Sequence, residues 1–323
     1  MKVPGSSGDR PAILVVGAAH IDRRAKAFGP FFPGASNPGL LQDAAGGSAF
    51  NAAVALKASG FPVRFLGVRG GDEDGRRVAK AIEAAGLDDL GVTFLDRRTP
   101  TYTAILDDRG ELVAGIADME LYALLGPKLL RRRHVRPRIA EAAAVLVDAN
   151  LSEAMLAATV EAAGPRPVAA LGVSPVKVLR LLPVLARLDA LFLSRAEAAS
   201  LAEVTTATNL HLIAHLVAEL GARRAVITDG AHDAAILDEG RLSFQRPPAV
   251  RPLDVTGAGD TLAAVAVAAR LSGSDFLDAA RRGIVAASLR ISSPRFPPAD
   301  LAAEIDRQLP SLAEPVDETR HRP

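Results

Sequence analysis

The stretch DVTGAGDTLAAVAVAARL, residues 254–271, places two glycines and two aspartates in its first seven positions. No glycine, proline or charged residue then follows Asp260 until Arg270, which predicts an apolar helix. Gly257 and Gly259 allow backbone conformations that other residues avoid, and the unpaired N–H groups at a helix start attract anions. The stretch therefore predicts an anion site at the start of a buried helix, with an acid beside it.

An acid in the first turn of such a helix indicates general base catalysis. Asp260 would accept the proton of a hydroxyl group while the helix N–H groups hold the charge of a transferred phosphate. The plainer alternative is a tight turn at Gly257 and Gly259, with Asp260 as a simple helix cap. The seven residues by themselves do not separate these two interpretations.

Outward from this helix, the chain alternates short apolar runs with alanine- and leucine-rich helical patterns. The helical patterns at 48–60 and 74–86 both end in glycine, which commonly stops a helix. The alternation predicts an α/β fold with a central, mostly parallel sheet covered by helices on both faces, and ligands at the carboxyl ends of its strands. The runs typical of buried strands are 12–18, 63–68, 143–149, 190–194 and 225–230.

Residues 101–117 interrupt this alternation. Two β-rich runs are joined there by Asp-Asp-Arg-Gly at 107–110, a strong hairpin signal. A hairpin cannot connect parallel strands, so we predict that it projects as part of a small β lid, with the irregular stretch that follows the first strand beside it. The predicted boundaries are a lid at about 22–45 and 98–118, within one domain of residues 11–313, and flexible tails at 1–10 and 314–323.

Composition excludes several classes of protein. Of 323 residues, 49% are hydrophobic, the formal net charge is +1, and there is no cysteine. Disulfides and thiolate metal sites are therefore absent, and nothing favours a nucleic-acid or membrane surface. The first residues lack the layout of a signal peptide, and no segment reaches the roughly 18 apolar residues of a membrane span. We expect a cytoplasmic protein that binds neither nucleic acids nor membranes.

Two signatures resemble one enzyme family. DVTGAGD at 254–260 resembles the C-terminal signature of the ribokinase-like (PfkB-type) carbohydrate and nucleoside kinases, and GGSAFNAAVALKASG at 46–60, followed by VRFLGVRGGDEDG at 63–75, resembles the N-terminal one. The resemblance spans about residues 12–300. It implies a ribokinase-like three-layer sandwich with a β lid, transfer of the ATP γ-phosphate to a hydroxymethyl group of a small molecule, and Mg²⁺ and K⁺ as cofactors.

The same resemblance implies roles for individual residues. It makes Asp260 the catalytic base and places the anion hole at Gly257, Ala258 and Gly259. The substrate contacts that it implies are Asp22, Gly46, Gly47, Asn51, Thr101 and Thr103. The nucleotide contacts that it implies are Thr228, Gly230, Thr256, Gly257 and Gly259. It also implies that Glu197 holds magnesium through water and that Asp254 belongs to a monovalent-cation loop. Taken singly, each residue also has a plain structural interpretation. Asp22 fits a turn residue at the end of a strand, and Asn51 fits a polar contact of a helix. For Thr101 and Thr103, ordinary strand propensity explains the residues as well as substrate binding does.

Finer similarity concerns the substrate. The lid and substrate-side segments resemble those of family members that phosphorylate pseudouridine, which implies that pseudouridine and ATP give pseudouridine 5′-phosphate and ADP. A kinase for another ribosyl nucleoside or sugar is the alternative, and a homodimer formed through the β lid is a further expectation. The segments are PGASNPG at 33–39, TYTAILDDRGELVAGIADME at 101–120, VDANL at 147–151 and LDALFLSRAEA at 188–198.

Several positions depart from the family pattern. Ser194 stands where the family usually has asparagine, Leu171 where an acid is usual, and Asp233 where the nucleotide motif ends in glycine. We expect the Asp233 carboxylate to repel the phosphates of ATP. The interpretation of the chain as a ligand-binding paralogue with weak turnover therefore stays open. His20 replaces an asparagine next to Asp22 and is either a pH-sensitive contact or a packed side chain. A dinucleotide oxidoreductase is disfavoured because no Gly-x-Gly-x-x-Gly follows the first strand.

Overall fold

The computed structural model describes residues 10–318. Its strands form where short runs of valine, leucine and isoleucine occur, because such side chains suit a sheet that is buried on both faces. The strands are β1 (Ile13–Val16), β2 (His20–Ala27), β3 (Gly39–Gly46), β4 (Val63–Leu66), β5 (Val68–Gly70), β6 (Asp88–Asp89), β7 (Val92–Phe94), β8 (Thr101–Leu106), β9 (Leu112–Asp118), β10 (Ala144–Asp148), β11 (Val168–Leu171), β12 (Ala190–Ser194), β13 (Arg224–Thr228), β14 (Ala234–Asp238), β15 (Arg241–Gln245) and β16 (Val316–Asp317).

Helices fill the segments between these strands. The α-helices are α1 (Ser48–Ala58), α2 (Glu73–Ala84), α3 (Arg136–Ala140), α4 (Glu153–Ala163), α5 (Arg195–Leu201), α6 (Leu210–Glu219), α7 (Ala258–Leu271), α8 (Phe276–Ser292) and α9 (Leu301–Gln308). Short 3₁₀ helices lie at Glu120–Leu124, Pro127–Arg131, Val178–Arg187 and Leu309–Ser311. The predicted helix stops are confirmed: Gly60 after α1 and Gly86 after α2 have φ of +83° and +66°. Between residues 10 and 318, no helix is both long and apolar enough to cross a bilayer.

The central sheet has ten strands in the order β16-β15-β14-β13-β12-β11-β10-β1-β4-β6. The seven strands from β6 to β13 are parallel, and β14, β15 and β16 are antiparallel. One apolar cluster packs α4, α5 and α6 against one face, and a second packs α1, α7 and α8 against the other. The predicted three-layer α/β sandwich with a mostly parallel sheet is confirmed.

The C-terminal edge of this sheet differs from the sequence prediction. β14 and β15 form an antiparallel hairpin, and β16 pairs with β15 through Phe244 and Val316. Residues 316–317 are therefore not part of a loose tail, because their backbone groups complete the ladder of an otherwise open edge. The predicted tail residues 1–9 and 319–323 lie outside the described residues.

A second sheet forms the lid, from the two segments predicted to do so. Its strand order is β3-β2-β8-β9, with β2 and β8 parallel and the other pairs antiparallel. The stretch at 22–45, which is irregular in the sequence, contributes most of two strands, β2 and β3. Because side chains alternate along a strand, Asp22 and its register partner Tyr102 lie on one face of the lid, and Thr101 and Thr103 lie on the other. A separate small sheet pairs β5 with β7.

Candidate active site

A cleft of about 730 Å³ lies where the carboxyl ends of the central strands meet the lid and the start of α7. This is the expected ligand position in a parallel α/β sheet. The predicted site residues that line it are Asp22, Gly47, Asn51, Glu197, Thr228, Thr256, Gly257, Ala258, Gly259 and Asp260. The predicted residues that are not part of its lining are Gly46, Thr101, Thr103, Gly230 and Asp254.

The residues of the predicted anion site lie at the start of α7 and line the cleft. Gly257 caps the helix in a left-handed conformation, with φ of +77°, and a Cβ atom there would lie 3.3 Å from Asn51 Nδ2. A Cβ atom at Gly259 would meet no protein atom within 4 Å, so the room that this glycine leaves is open to a ligand. Residues 261–268 behind it are all buried, and α7 packs against α1 and α8. Ala258 N donates to the Val255 carbonyl oxygen over 3.3 Å, and the core holds this turn of the helix in a fixed direction.

Asp260 is held by a neighbouring helix. The Asn51 side chain on α1 donates from Nδ2 to Asp260 Oδ2 over 2.9 Å. Burial raises the pKa of Asp260 to about 6, although hydrogen bonds from Asn51 and Ser48 oppose this shift. A carboxylate with that pKa is ionised at neutral pH and is still basic enough to accept a hydroxyl proton in a transition state. The hydrogen bond from Asn51 and the raised pKa are both compatible with the predicted role of Asp260 as general base.

A buried relay fixes the opposite carboxylate, on β2. Asp22 can only accept hydrogen bonds, so His20 donates to it from Nε2 over 3.1 Å, and Tyr122 in turn donates to His20 Nδ1 over 3.0 Å. His20 and Tyr122 are buried, and burial raises the pKa of Tyr122 well above its usual value. His20 is therefore a buried side chain that also lines the cleft and holds Asp22. No sequence signal indicated Tyr122, which lies 102 residues from its partner.

Two glycines that were predicted to contact the substrate are required by the local packing of the chain. A Cβ atom at Gly46 would overlap the Asp22 carboxylate, so this glycine leaves room for the acid. Gly47, with φ of +110°, lets the chain pass from β3 into α1, and a Cβ atom there would lie 2.5 Å from the Ala18 carbonyl oxygen. Only Gly47 lines the cleft. Gly46 therefore acts on the site through Asp22.

Lid strand β8 presents a different side chain to the cleft from the two predicted. Tyr102 lines the cleft together with Asp22 and Ala117, its register partners on β2 and β9. Its hydroxyl lies close to Gly115, where a Cβ atom would be 2.8 Å away. Thr101 and Thr103 share a face, as predicted, but that face points away from the cleft. Tyr102, rather than Thr101 or Thr103, is therefore the β8 residue that lines the cleft.

A polar cluster beside the relay adds a cation to the cleft. Asp148, at the buried end of β10, accepts hydrogen bonds from Ala18 N and from Asn150 Nδ2. Burial raises the pKa of Asp148. Lys177 donates from Nζ to Asn150 Oδ1 over 2.6 Å, and burial lowers its pKa. Asn150 and Lys177 both line the cleft. The VDANL segment at 147–151 contains Asp148 and Asn150, whereas nothing in the sequence indicated Lys177.

On the nucleotide side, Ser194 and Glu197 form a capping box at the start of α5. Ser194 N donates to Glu197 Oε2 over 2.8 Å, and the Ser194 hydroxyl accepts from Glu197 N. A Cβ atom on Gly172 would lie 2.6 Å from Glu197 Oε2, so this glycine gives the carboxylate its place beside the cleft. Burial raises the pKa of Glu197, against the hydrogen bonds from Ser194. A buried carboxylate facing a cleft in this way fits a hydrated Mg²⁺ ion.

The aspartate that departs from the nucleotide motif is already paired. Asp233 lies 2.5 Å from Arg246 Nε and does not line the cleft, and its neighbour Asp229 is paired with Arg195. Gly230 adopts φ of +59° with no protein atom near a Cβ position. The charge expected to repel ATP is therefore neutralised by an arginine.

The predicted monovalent-cation loop carries a guanidinium group. Arg24, on the inner face of the lid, donates to Asp254 Oδ2 over 2.9 Å and to Thr256 Oγ1 over 2.6 Å. Although burial penalises the charge of Asp254, hydrogen bonds from Thr256 and Arg24 hold its pKa below the usual value. The lid is thus tied directly to the loop that precedes α7.

Comparison with known proteins identifies the family. The family model described as pfkB family carbohydrate kinase matches residues 10–296. Pseudouridine kinase of Escherichia coli (strain K12) is 24% identical over 288 residues, which cover 88% of this chain and 91% of that protein. A solved carbohydrate kinase from Agrobacterium tumefaciens is 39% identical, with a TM-score of 0.83, and the match covers 95% of this chain and all of that one. Arabidopsis thaliana ribokinase, solved with ribose and ATP, is 21% identical with a TM-score of 0.78 over 93% of this chain and 98% of that one, and shares the fold.

Proposed function

The chain belongs to the pfkB family of carbohydrate kinases, and from that premise we propose that it transfers the γ-phosphate of ATP to the 5′-hydroxyl group of pseudouridine. The observation that supports phosphoryl transfer most directly is Asp260, hydrogen-bonded to Asn51 at the start of α7 and facing the cleft. The similarity to pseudouridine kinase over most of both chains supports the acceptor. The products would be pseudouridine 5′-phosphate and ADP.

In the proposed reaction Asp260 acts as general base. The 5′-oxygen attacks the γ-phosphorus as Asp260 takes the hydroxyl proton, an oxygen–phosphorus bond forms, and the bond to the β-phosphate oxygen breaks to release ADP. The N–H groups of Gly257, Ala258 and Gly259 stabilise the charge that develops on the phosphate. Asn51 orients the base through Oδ2.

The acceptor side is proposed to recognise a ribosyl group. Asp22 would accept hydrogen bonds from the vicinal hydroxyl groups, in an orientation that His20 and Tyr122 fix. Tyr102 and Lys177 line the same cleft and offer a ring and a cation to the nucleobase side or to the phosphate. These groups suit a polar nucleoside better than an apolar alcohol.

ATP and Mg²⁺ are the proposed cosubstrate and cofactor. When bound, Mg²⁺ neutralises the charge of the phosphates, and Glu197 is the residue that would hold it through water. Thr228 and Thr256 line the nucleotide side. A monovalent cation such as K⁺ would compete with Arg24 for Asp254, so we expect replacement of K⁺ by tetramethylammonium to change the rate by less than about threefold. A larger dependence would place K⁺ elsewhere in the loop.

An ADP-release assay across nucleosides and sugars tests the proposal. Pseudouridine differs from uridine by a carbon glycosidic link and an additional ring N–H, and a site that binds this N–H disfavours uridine because its acceptor is left unpaired. We expect pseudouridine to have the highest kcat/KM, with the phosphorylated product identified by mass spectrometry. Equal turnover of uridine or ribose would make the acceptor assignment wrong and leave the kinase family intact. Nucleoside binding without ADP release above background would instead favour the weakly active, ligand-binding alternative.

The outer face of the lid supports a homodimer. Leu41 on β3 and Ile116 on β9, the two edge strands of the lid, lie on the face opposite to Asp22 and are 71% and 70% exposed, and a second lid would cover these apolar side chains. We expect Ile116→Lys to yield monomers in analytical ultracentrifugation. Leu95→Lys, at an 86% exposed leucine outside the lid, should leave the mass unchanged.

A reaction that consumes ATP is suited to the cytoplasm, where we propose that it takes place.

A further inference from the structure

Two histidines and a glutamate meet at the C-terminal edge of the central sheet. His211 and His215 are one turn apart on α6, and Glu318 directly follows β16. Nε2 of each histidine lies 2.7 Å from Glu318 Oε1, and the ligand atoms of all three residues lie within 4.8 Å of one another. None of the three lines the cleft. Their convergence therefore has no part in the proposed phosphoryl transfer.

The spacing and chemistry of these side chains suit a metal ion. Residues four apart lie on one helix face, so both imidazoles point the same way, as in the His-x-x-x-His pairs that bind zinc. Two imidazoles and a carboxylate make three ligands of a tetrahedral site whose fourth position takes water. Donor atoms in such a site lie about 3.3 Å apart for metal–ligand bonds of about 2.0–2.1 Å. Each Nε2–Oε1 distance would thus open by about half an ångström when a cation replaces the shared protons.

The surroundings keep the ligands both accessible and oriented. About a third to two fifths of each side chain is exposed, so an ion can enter from solvent. The His211 ring packs against Phe244 on β15, with ring centroids 5.8 Å apart, and meets the His215 ring edge-on at 4.8 Å. These contacts limit rotation of the imidazoles before any ion binds, which lowers the entropic cost of binding.

We propose that His211, His215 and Glu318 form a Zn²⁺ site that fastens the C-terminal strand to α6. Mixed nitrogen and oxygen ligands favour Zn²⁺ over Mg²⁺, which prefers oxygen alone, so the site is chemically distinct from one for the magnesium of ATP. β16 is only two residues long and pairs with a single strand. An ion held between Glu318 and α6 would keep this short strand on the sheet edge and would stabilise the folded state by mass action.

Zinc titration of the tag-free, full-length protein tests the site. Metal is first removed with a chelator, and Zn²⁺ is then added against a chromophoric zinc indicator, with no nucleotide present. We expect one equivalent of Zn²⁺ per chain and a higher thermal midpoint. His215→Ala and Glu318→Gln should each weaken binding at least about tenfold. His134→Ala, at an exposed histidine before α3, should leave binding unchanged.

A second measurement does not depend on the variants folding. Co²⁺ bound to the parent protein should give the intense visible absorption of a four-coordinate site, and Zn²⁺ should displace it. Absence of saturable binding, a stoichiometry other than one, or unchanged affinity in folded His215→Ala and Glu318→Gln would overturn the proposal. A weak, six-coordinate Co²⁺ spectrum in the parent would overturn it as well.

Discussion

The acids that face the cleft and the acid at position 233, outside its lining, are held by different kinds of partner. On the acceptor side, Asp22 and Asp260 are held by a histidine and an amide, and both carboxylates face the cleft. On the nucleotide side, Asp233 is paired with Arg246 and lies outside the cleft lining. A carboxylate paired with a guanidinium is already neutralised, whereas one held by uncharged donors keeps its charge for a ligand. Substitution of Asp22 or Asp260 should therefore be costly and substitution of Asp233 mild, whereas Glu197, which faces the cleft on the nucleotide side and is held by Ser194, belongs with the costly group.

The largest expected effect is at the base. Asp260→Asn should lower kcat by about 10²–10⁴-fold, because an amide of the same shape cannot accept the proton. Nucleoside affinity, measured by calorimetry, should stay close to that of the parent. Asp278→Asn, at an acid in the first turn of α8 and away from the cleft, is the matched control and should have normal kcat. Turnover of Asp260→Asn within a few-fold of the parent would rule out the catalytic assignment.

The pH profile should report the same group. Because the base must be ionised and burial raises its pKa to about 6, kcat should fall about tenfold per pH unit below that value and level off above it. The carboxylate of Asp260 is penalised in the folded state, so its contribution to stability is lost as pH rises from about 4 through 6. The Asp260→Asn variant should therefore gain in thermal midpoint relative to the parent over that interval. A difference that is constant with pH would contradict the raised pKa.

The next largest effect is expected at Asp22. Asp22→Ala removes a charged acceptor of sugar hydroxyl groups, worth about 1.5–3 kcal/mol, or about 10- to 150-fold in nucleoside affinity. ATP affinity should change little. Asp43→Ala serves as control, since Asp43 lies on the other face of the lid and pairs with Arg77. Equal losses for both ligands in Asp22→Ala would indicate a general disturbance of the lid.

A smaller effect tests the relay behind Asp22. Tyr122→Phe removes the O–H that His20 Nδ1 accepts, a hydrogen bond worth about 0.5–1.5 kcal/mol. As a positioning residue, Tyr122 should act on KM for the nucleoside, raising it about two- to tenfold with little change in kcat. Steady-state kinetics with saturating ATP separate the two parameters. A loss in kcat at unchanged KM would show that the relay does not act through Asp22.

The smallest effect is expected on the nucleotide side. The sequence predicts that Asp233→Gly tightens ATP binding, whereas the ion pair with Arg246 predicts less than about a twofold change. Arg246→Ala sharpens the test, because it leaves the carboxylate unpaired and should weaken ATP binding at low salt only. If Asp233→Gly alone tightens ATP binding and added salt abolishes the gain, Arg246 does not neutralise the Asp233 carboxylate, and the contrast with the acids that face the cleft is wrong.

Local patterns predicted the parts of this molecule that depend on neighbouring residues in the chain. The glycine stops after α1 and α2, the lid hairpin, and the start of α7 follow from backbone preferences within a few residues. Tyr122 and Lys177 did not follow, because each meets its partner across long stretches of chain and lies in or beside irregular segments. Tyr102 was missed for another reason, since alternation gave two faces of β8 and nothing local identified the inner one.

Arg24 connects the lid to the loop that precedes α7. A single strand, β2, provides Asp22 for the acceptor and, two residues on, Arg24 for the loop at Asp254 and Thr256. We expect that a ligand that draws this strand inward also draws the loop into place, so that the two ligands of the cleft assist each other's binding. Linkage makes that help reciprocal: the factor by which the nucleoside raises ATP affinity equals the factor by which ATP raises nucleoside affinity. The expected coupling through Arg24 would make ATP affinity depend on whether an acceptor is bound.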